Sequence, residues 1–131
     1  WQQYTLAYPT TDNGAQLFTI SGTTPVMGSR TKLLRQYFKY VPFGSQRVRA
    51  TSTSSNVRPV AFTTPGGGMA VVIHVDAAGS YSVAGMRPGT YSVTMTTGSG
   101  TLIQLPAVTA TSGGSVTIVP TQTGVLTLSR Q

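Results

Sequence analysis

From about residue 44 onward, apolar and polar positions alternate in short runs, and one earlier stretch follows a different rhythm. Between 29 and 41, Leu33, Leu34, Tyr37, Phe38 and Val41 recur at i, i+1, i+4, i+5 and i+8, which is one stripe of an amphipathic helix. Lys32, Arg35, Gln36 and Lys39 fill the other side. Ser29 is the expected N-cap, and Pro42 with Gly44 stops the helix. The remainder reads as strand at 47–51, 57–63, 69–75, 81–84, 91–96, 101–105, 115–119 and 125–128, with a short earlier strand at 15–20. Glycine- and proline-bearing turns separate most of these runs, such as Thr64-Pro65-Gly66 and Arg87-Pro88-Gly89.

Strands at intervals of about 8–12 residues predict a sandwich. The expected fold is all-β, an antiparallel β-sandwich of about eight strands with one N-terminal amphipathic helix. Residues 1–44 would form an aromatic segment and the helix, and residues 45–131 the sandwich, packed as one compact unit. The run 69–75 is the most continuously apolar and is predicted to be a central strand, with His74 as a packed or hydrogen-bonded core residue. Tyr81-Ser82-Val83 returns as Tyr91-Ser92-Val93. That echo predicts a hairpin, with both tyrosines on apolar faces and their hydroxyls satisfied.

Composition then narrows the chemistry. The chain holds two acidic residues, Asp12 and Asp76, with one histidine and no cysteine. Glycoside hydrolysis typically needs two carboxylates flanking one bond. Calcium sites want several hard oxygen ligands, and zinc sites want His or Cys clusters. No catalytic residue, metal site or cofactor is therefore expected, and a binding or structural module is the favoured class. Without disulfides the core must hold the fold alone, and the redox compartment stays open. No apolar run approaches the ~18 residues that span a membrane, so no membrane partner is expected. The sequence opens at Trp1 without an initiator Met or an apolar leader, as expected of a processed product or a piece of something longer.

The net charge of +7 reflects missing acids more than abundant bases, although six of the nine Lys and Arg lie between Arg30 and Arg49. Arg30, Lys32, Arg35 and Lys39, with Tyr37, Phe38 and Tyr40 interleaved, could serve a single-strand nucleic-acid binder. Tyr37 and Phe38 fall on the apolar stripe instead of among the charges, which favours a solvated basic face and no nucleic-acid partner. The first eight residues concentrate Trp1, Tyr4 and Tyr8. Aromatic faces beside Gln, Asn and Thr suit a sugar ring, whose C–H face stacks while its hydroxyls find amides. Core packing explains such aromatics equally well.

The landmarks Trp1-Gln2, Asn13-Gly14 and Phe18-Thr19-Ile20 precede the helix, and Tyr37-Phe38, Tyr40-Val41-Pro42, Gly44 and Arg47-Val48 follow in order. Together with Gly79 to Val93, Leu105-Pro106, Gly113-Gly114 and Gly124 to Leu128, this arrangement resembles the C-terminal part of clan A glycoside hydrolases, the family-thirty-like cellulases and xylanases. In that pattern the last barrel strand and helix lead into an accessory β-sandwich, although here Phe43 interrupts the family's Pro-Gly pair. The resemblance carries over no catalytic residue. It implies a secreted, non-catalytic carbohydrate-binding module serving an attached glycoside hydrolase domain. The expected partner is a plant cell-wall polysaccharide, a β-1,4-linked β-glucan, cellulose or hemicellulose, held by Trp1, Tyr4 and Tyr8. The rival reading is a structural sandwich that braces a catalytic barrel through Leu33, Tyr37 and Phe38.

Overall fold

The computed structural model describes residues 5–9, 11–12 and 14–130. A three-stranded sheet opens the chain: β1 (Thr5–Tyr8), β2 (Gln16–Ser21) and β3 (Thr24–Met27), in the order β1-β2-β3. β1 runs parallel to β2, and β2 and β3 form a hairpin through Gly22, whose φ of 61° suits glycine. β1 and β3 were not foreseen. Each is four residues long, and Pro25 in β3 is tolerated at a sheet edge, where no ladder bond is lost.

Helix α1 (Ser29–Tyr40) follows and leads into eight further strands: β4 (Gln46–Val48), β5 (Val57–Thr64), β6 (Gly68–Val75), β7 (Tyr81–Ala84), β8 (Gly89–Thr96), β9 (Ile103–Ala110), β10 (Ser115–Ile118) and β11 (Gly124–Arg130). They form the sandwich, as a six-stranded sheet ordered β4-β5-β6-β11-β8-β9 facing a two-stranded sheet of β10 and β7. Every pairing in these two sheets is antiparallel. β6 is an inner strand, bonded to β5 and β11. β9 passes through Pro106, which had marked its expected end. It can do so because β9 is an edge strand and Pro106 lies at the register shift opposite Tyr91 and Val93.

The repeated Tyr-Ser-Val does not form a hairpin. β7 pairs with β10, whereas β8 pairs with β9 and β11 in the other sheet. The link between them turns at Gly85 (φ 74°) and buries Met86, carrying the chain from one sheet to the other. Both tyrosines still point inward, and each hydroxyl donates to a carbonyl four residues upstream. Tyr81 bonds Ala77 at 2.8 Å and Tyr91 bonds Arg87 at 2.9 Å. The Tyr91 ring is thus buried and the Tyr81 ring partly buried, while each polar end is satisfied locally. Around them Val71, Ile73, Val93, Met95, Leu126 and Leu128 of the large sheet meet Val116 and Ile118 of the small one.

Helix α1 lies on the other face of the large sheet, against β11, β8 and β6. Strand alternation turns Thr94 and Thr96 to that face, opposite Val93 and Met95. Gln36, which the hydropathy pattern assigns to solvent, is fully buried there. Its Nε2 donates to Thr96 Oγ1 at 3.1 Å, and its Oε1 accepts from Thr94 Oγ1 at 3.0 Å. Thr96 Oγ1 also accepts the backbone N–H of Leu102 at 3.0 Å, so one hydroxyl joins the helix to the β8–β9 loop. The apolar stripe is consequently divided. Tyr37 meets Phe62 of β5 edge-on at 6.4 Å, while Leu34 and Phe38 sit roughly 160–200° around the helix from Gln36. Phe38 is 53% exposed.

Gln36→Ala removes both side-chain bonds and leaves a void among buried hydroxyls. It is expected to cost about 2–3 kcal/mol, read as a lower urea midpoint at unchanged slope. A loss below about 0.5 kcal/mol, the usual range for a surface substitution, would contradict this description of the helix–sheet layer.

Candidate functional site

The two carboxylates identify where chemistry could occur. Asp12 sits in the predicted turn, where its Oδ1 accepts the N–H of Gly14 at 3.0 Å. Its Oδ2 accepts the N–H of Ser29 at 2.6 Å. Ser29 is therefore not the N-cap. Gly28 holds that position in an extended conformation without a side-chain cap, and Ser29 is the first helical residue. The cap comes from a carboxylate 17 positions earlier, placed where the helix dipole favours negative charge. Gly28 allows this approach, since a β-carbon there would lie 3.3 Å from both Asp12 oxygens and from the Leu17 carbonyl. The N–H groups of Ser29 and then Gly14 hold the Asp12 carboxyl below its ordinary pKa, with a smaller contribution from the Lys32 charge.

Asp76 follows β6 and is tied to Arg58 on β5. Arg58 Nη1 lies 2.7 Å from Oδ2, and Nη2 donates to Oδ1 at 3.0 Å. His74 joins them, its Nδ1 lying 2.6 Å from Arg58 Nη2 and 3.1 Å from Asp76 Oδ1. His74 is thus hydrogen-bonded but is not a core residue. Even-numbered positions of β6 face away from the sandwich interior, and α1 covers Ala70 and Val72 more completely than His74, whose side chain is 41% exposed. The sequence reading missed this cluster. Its signal was available, because Arg58 and His74 are cross-strand partners and Asp76 follows His74 by two residues.

The cluster borders a cavity of about 460 Å³ between the start of α1 and the ends of β6, β8 and β11, lined also by Ser29, Lys32, Thr97 and Thr123. The recess has a mixed lining, with Leu33 and Val75 beside the polar groups. Asp12 is occupied as a helix cap and Asp76 as the partner of Arg58, which leaves no facing carboxylate pair to protonate and attack a glycosidic bond. Among the described residues no three His, Cys, Asp or Glu side chains come together as a metal site.

Of the expected sugar-stacking residues, Trp1 and Tyr4 lie outside the described residues. Tyr8 ends β1, its backbone opposite Thr19 of β2, and its side chain is likewise outside the description. Leu6 on the same strand is 68% exposed. Elsewhere Phe43 is fully exposed, in a turn closed by the Ser45 N–H and hydroxyl on the Pro42 carbonyl, at 3.1 and 2.6 Å. Arg87 donates to the Gly67 carbonyl at 2.9 Å and Arg130 donates to that of Pro88, so these arginines fasten loops together. Of the helix cations, Arg30 donates to the Gly14 carbonyl at 2.9 Å and the Lys39 ammonium lies 5.3 Å from the Tyr40 ring centre, while Lys32, Arg35 and Lys39 recur at i, i+3 and i+7 along one side of α1.

No protein-family model matches the chain, and no curated protein is similar to it in sequence. Solved structures do share its fold. The glycoside hydrolase family 30 endoxylanase of Clostridium papyrosolvens is 17% identical, with a TM-score of 0.70 over 85% of this chain and 30% of that one. The catalytic domain of the family 30 xylanase C of Talaromyces cellulolyticus is 18% identical, with a TM-score of 0.74 over 97% of this chain and 29% of that one. A family 30 subfamily 8 xylanase of Clostridium acetobutylicum matches at 18% identity and TM-score 0.70, covering 89% and 31%. The present chain thus spans less than a third of these enzymes while they account for most of its own fold.

The Asp12 cap carries a pH signature. Its pKa is lowered in the folded state, so its contribution is present above the unfolded value of about 3.9 and is lost as pH falls through the folded value. Melting temperature measured between about pH 6 and pH 2 should fall at the acid end in the parent chain and fall less in Asp12→Asn. Identical acid limbs would show that the carboxylate does not cap the helix.

Proposed function

We propose that the chain is a non-catalytic accessory unit of a secreted glycoside hydrolase, and that residues 1–44 seat the sandwich of residues 45–131 against the catalytic domain. The observation that carries this reading is the orientation of α1. Its buried glutamine faces its own sheet, and half-buried Leu34 and exposed Phe38 turn the other way. Leu6 and Val26 of the preceding three-stranded sheet are also exposed. A parallel strand pair with a helix close behind belongs to α/β layering, in which further layers cover the apolar faces. The fold shared with part of several family 30 xylanases supplies the kind of partner, a catalytic barrel. Since both acids of this chain have structural partners, the proposed unit leaves glycosidic chemistry to that partner.

A second reading keeps carbohydrate binding as the unit's own activity, with β-1,4-linked β-glucan, cellulose or hemicellulose stacked on Trp1, Tyr4 and Tyr8. The exposure of Leu6 favours it, because β1 then has a flank open to a ligand. Neither reading requires a cofactor, metal, nucleic acid or membrane. No helix among the described residues is long and apolar enough to cross a membrane.

Two experiments separate them. In the seating reading, Phe38→Asp, at the exposed end of this face, costs less than about 1 kcal/mol in the 131-residue chain. In the same chain joined to its catalytic domain, it divides one melting transition into two. A single unchanged transition in the joined protein would reject the seating. Affinity electrophoresis through β-glucan and xylan gels tests the second reading, and seating alone predicts no retardation at any salt concentration. Retardation that survives high salt and weakens in Tyr4→Ala and Tyr8→Ala, by about 1–3 kcal/mol per lost stacking platform by analogy with nucleobases, would establish the sugar site. The pure chain should release no reducing sugar from either polymer.

A further inference from the structure

Charge is unevenly placed along the sandwich. Both aspartates lie at the end formed by the start of α1 and the close of β6, Asp12 at the first helical turn and Asp76 after the strand. The opposite end gathers the close of α1, the starts of β6 and β8, and the close of β11. Lys39 stands there in the last helical turn, and Arg47 lies opposite Phe62 near the close of β5. Arg87 precedes β8, and Arg130 ends β11. The loops of this end touch one another. A β-carbon on Gly44 would lie 3.4 Å from Pro65 Cγ, and the Gly67 carbonyl accepts from Arg87 at 2.9 Å and from Arg130 at 3.5 Å.

Sharing one carbonyl oxygen sets the Arg87 and Arg130 guanidinium groups side by side. Like charges so placed repel, and neither aspartate is at this end to offset them. Arg130 is held there by the backbone: it donates to the Pro88 carbonyl and lies across Gly89, where a β-carbon would meet its Nη1 at 2.7 Å. A guanidinium has five N–H donors. The loops use one from Arg87 and two from Arg130, so both retain donors in the planar arrangement that matches a carboxylate. Arg47 and Lys39 add exposed charge of the same sign. Phe43 stands on the turn beside Pro65, the only fully exposed ring among the described residues. Its flat face suits the C–H side of a sugar.

We propose that this end of the sandwich binds an acidic polysaccharide, with uronate carboxylates on Arg87, Arg130 and Arg47 and a sugar ring against Phe43. The negative charge of the ligand follows from this surface. That a polysaccharide carries it rests on the reading of the chain as a glycoside hydrolase accessory unit. A single-stranded nucleic acid would also supply anions, but such strands are held on several stacking platforms, and this end exposes one.

The test is titration of the full chain with oligogalacturonate at about 50 and 200 mM salt. Binding is expected at the lower salt and weakens at the higher. The double variant Arg47→Gln/Arg87→Gln should bind at least about fivefold more weakly. Because Arg87 also fastens a loop, Arg47→Gln/Phe43→Ala, at two exposed positions, should show the same loss at an unchanged melting temperature. Lys32→Gln/Arg35→Gln removes equal charge from the helix and should change binding less than about twofold. Equal weakening by the helix pair would reduce the effect to net charge and overturn the proposal, as would no binding at the lower salt. Tighter binding of a single-stranded oligonucleotide through the same residues would reject the polysaccharide, and with it the accessory reading. A mere absence of oligogalacturonate binding would leave that reading to the melting of the joined protein.

Discussion

Everything outside the sandwich depends on how one glutamine is buried. Gln36 enters the face of the large sheet and exchanges hydrogen bonds with Thr94 and Thr96. A buried amide without partners costs several kcal/mol, and one with both ends satisfied is close to neutral while tolerating few orientations. The pair of bonds therefore fixes the rotation of α1 about its axis. That rotation sends Leu34 and Phe38 away from the sheet, places Tyr37 against Phe62, and sets the first turn beside the carboxylate of Asp12. An ordinary amphipathic docking would have buried the apolar stripe and left a self-sufficient domain. The observed one leaves an apolar surface facing outward beside a sheet that contains a parallel pair.

The scarcity of acids takes on meaning in the same frame. With two carboxylates available, the fold uses Asp12 to cap the only α-helix among the described residues and Asp76 to hold Arg58 and His74. Both are architectural uses. Of the positive charge that remains, Arg87 and Arg130 fasten loops and Arg30 is bonded to the Gly14 carbonyl. A surface of this kind is consistent with a unit that is held in place by packing and does not concentrate reactive groups.

The sandwich was legible because alternation and turn residues are local signals. Eight runs became eight strands, and Tyr81 and Tyr91 turned inward as their apolar neighbours required. The resemblance to family-thirty glycoside hydrolases agrees with the solved structures that share the fold. What was not legible depends on pairing at a distance. Asp12 caps a helix that begins 17 residues later, so Ser29 looked like the cap. Gln36 looked solvent-facing because a binary pattern cannot show that the opposing surface is lined with threonines. That clue was present in the alternation of Thr94 and Thr96 with Val93 and Met95. The tyrosine echo suggested a hairpin because nothing in the eight residues from Ala84 to Tyr91 says whether a turn stays in its sheet or leaves it. For the candidate site, the sequence drew attention to Trp1, Tyr4 and Tyr8 and passed over Arg58, His74 and Asp76, which come together only once β5 and β6 are in register.

The most direct test of this account is the side-chain amide of Gln36 in solution. Nuclear magnetic resonance of the 131-residue chain should show its Nε2 protons exchanging far more slowly than those of the exposed Gln122, with cross-peaks to the methyl groups of Thr94 and Thr96. A Gln36 amide that exchanges as fast as Gln122 and shows no contact with either threonine would mean that α1 sits on the sheet in another rotation. The outward apolar face inferred from its orientation would then be lost with it.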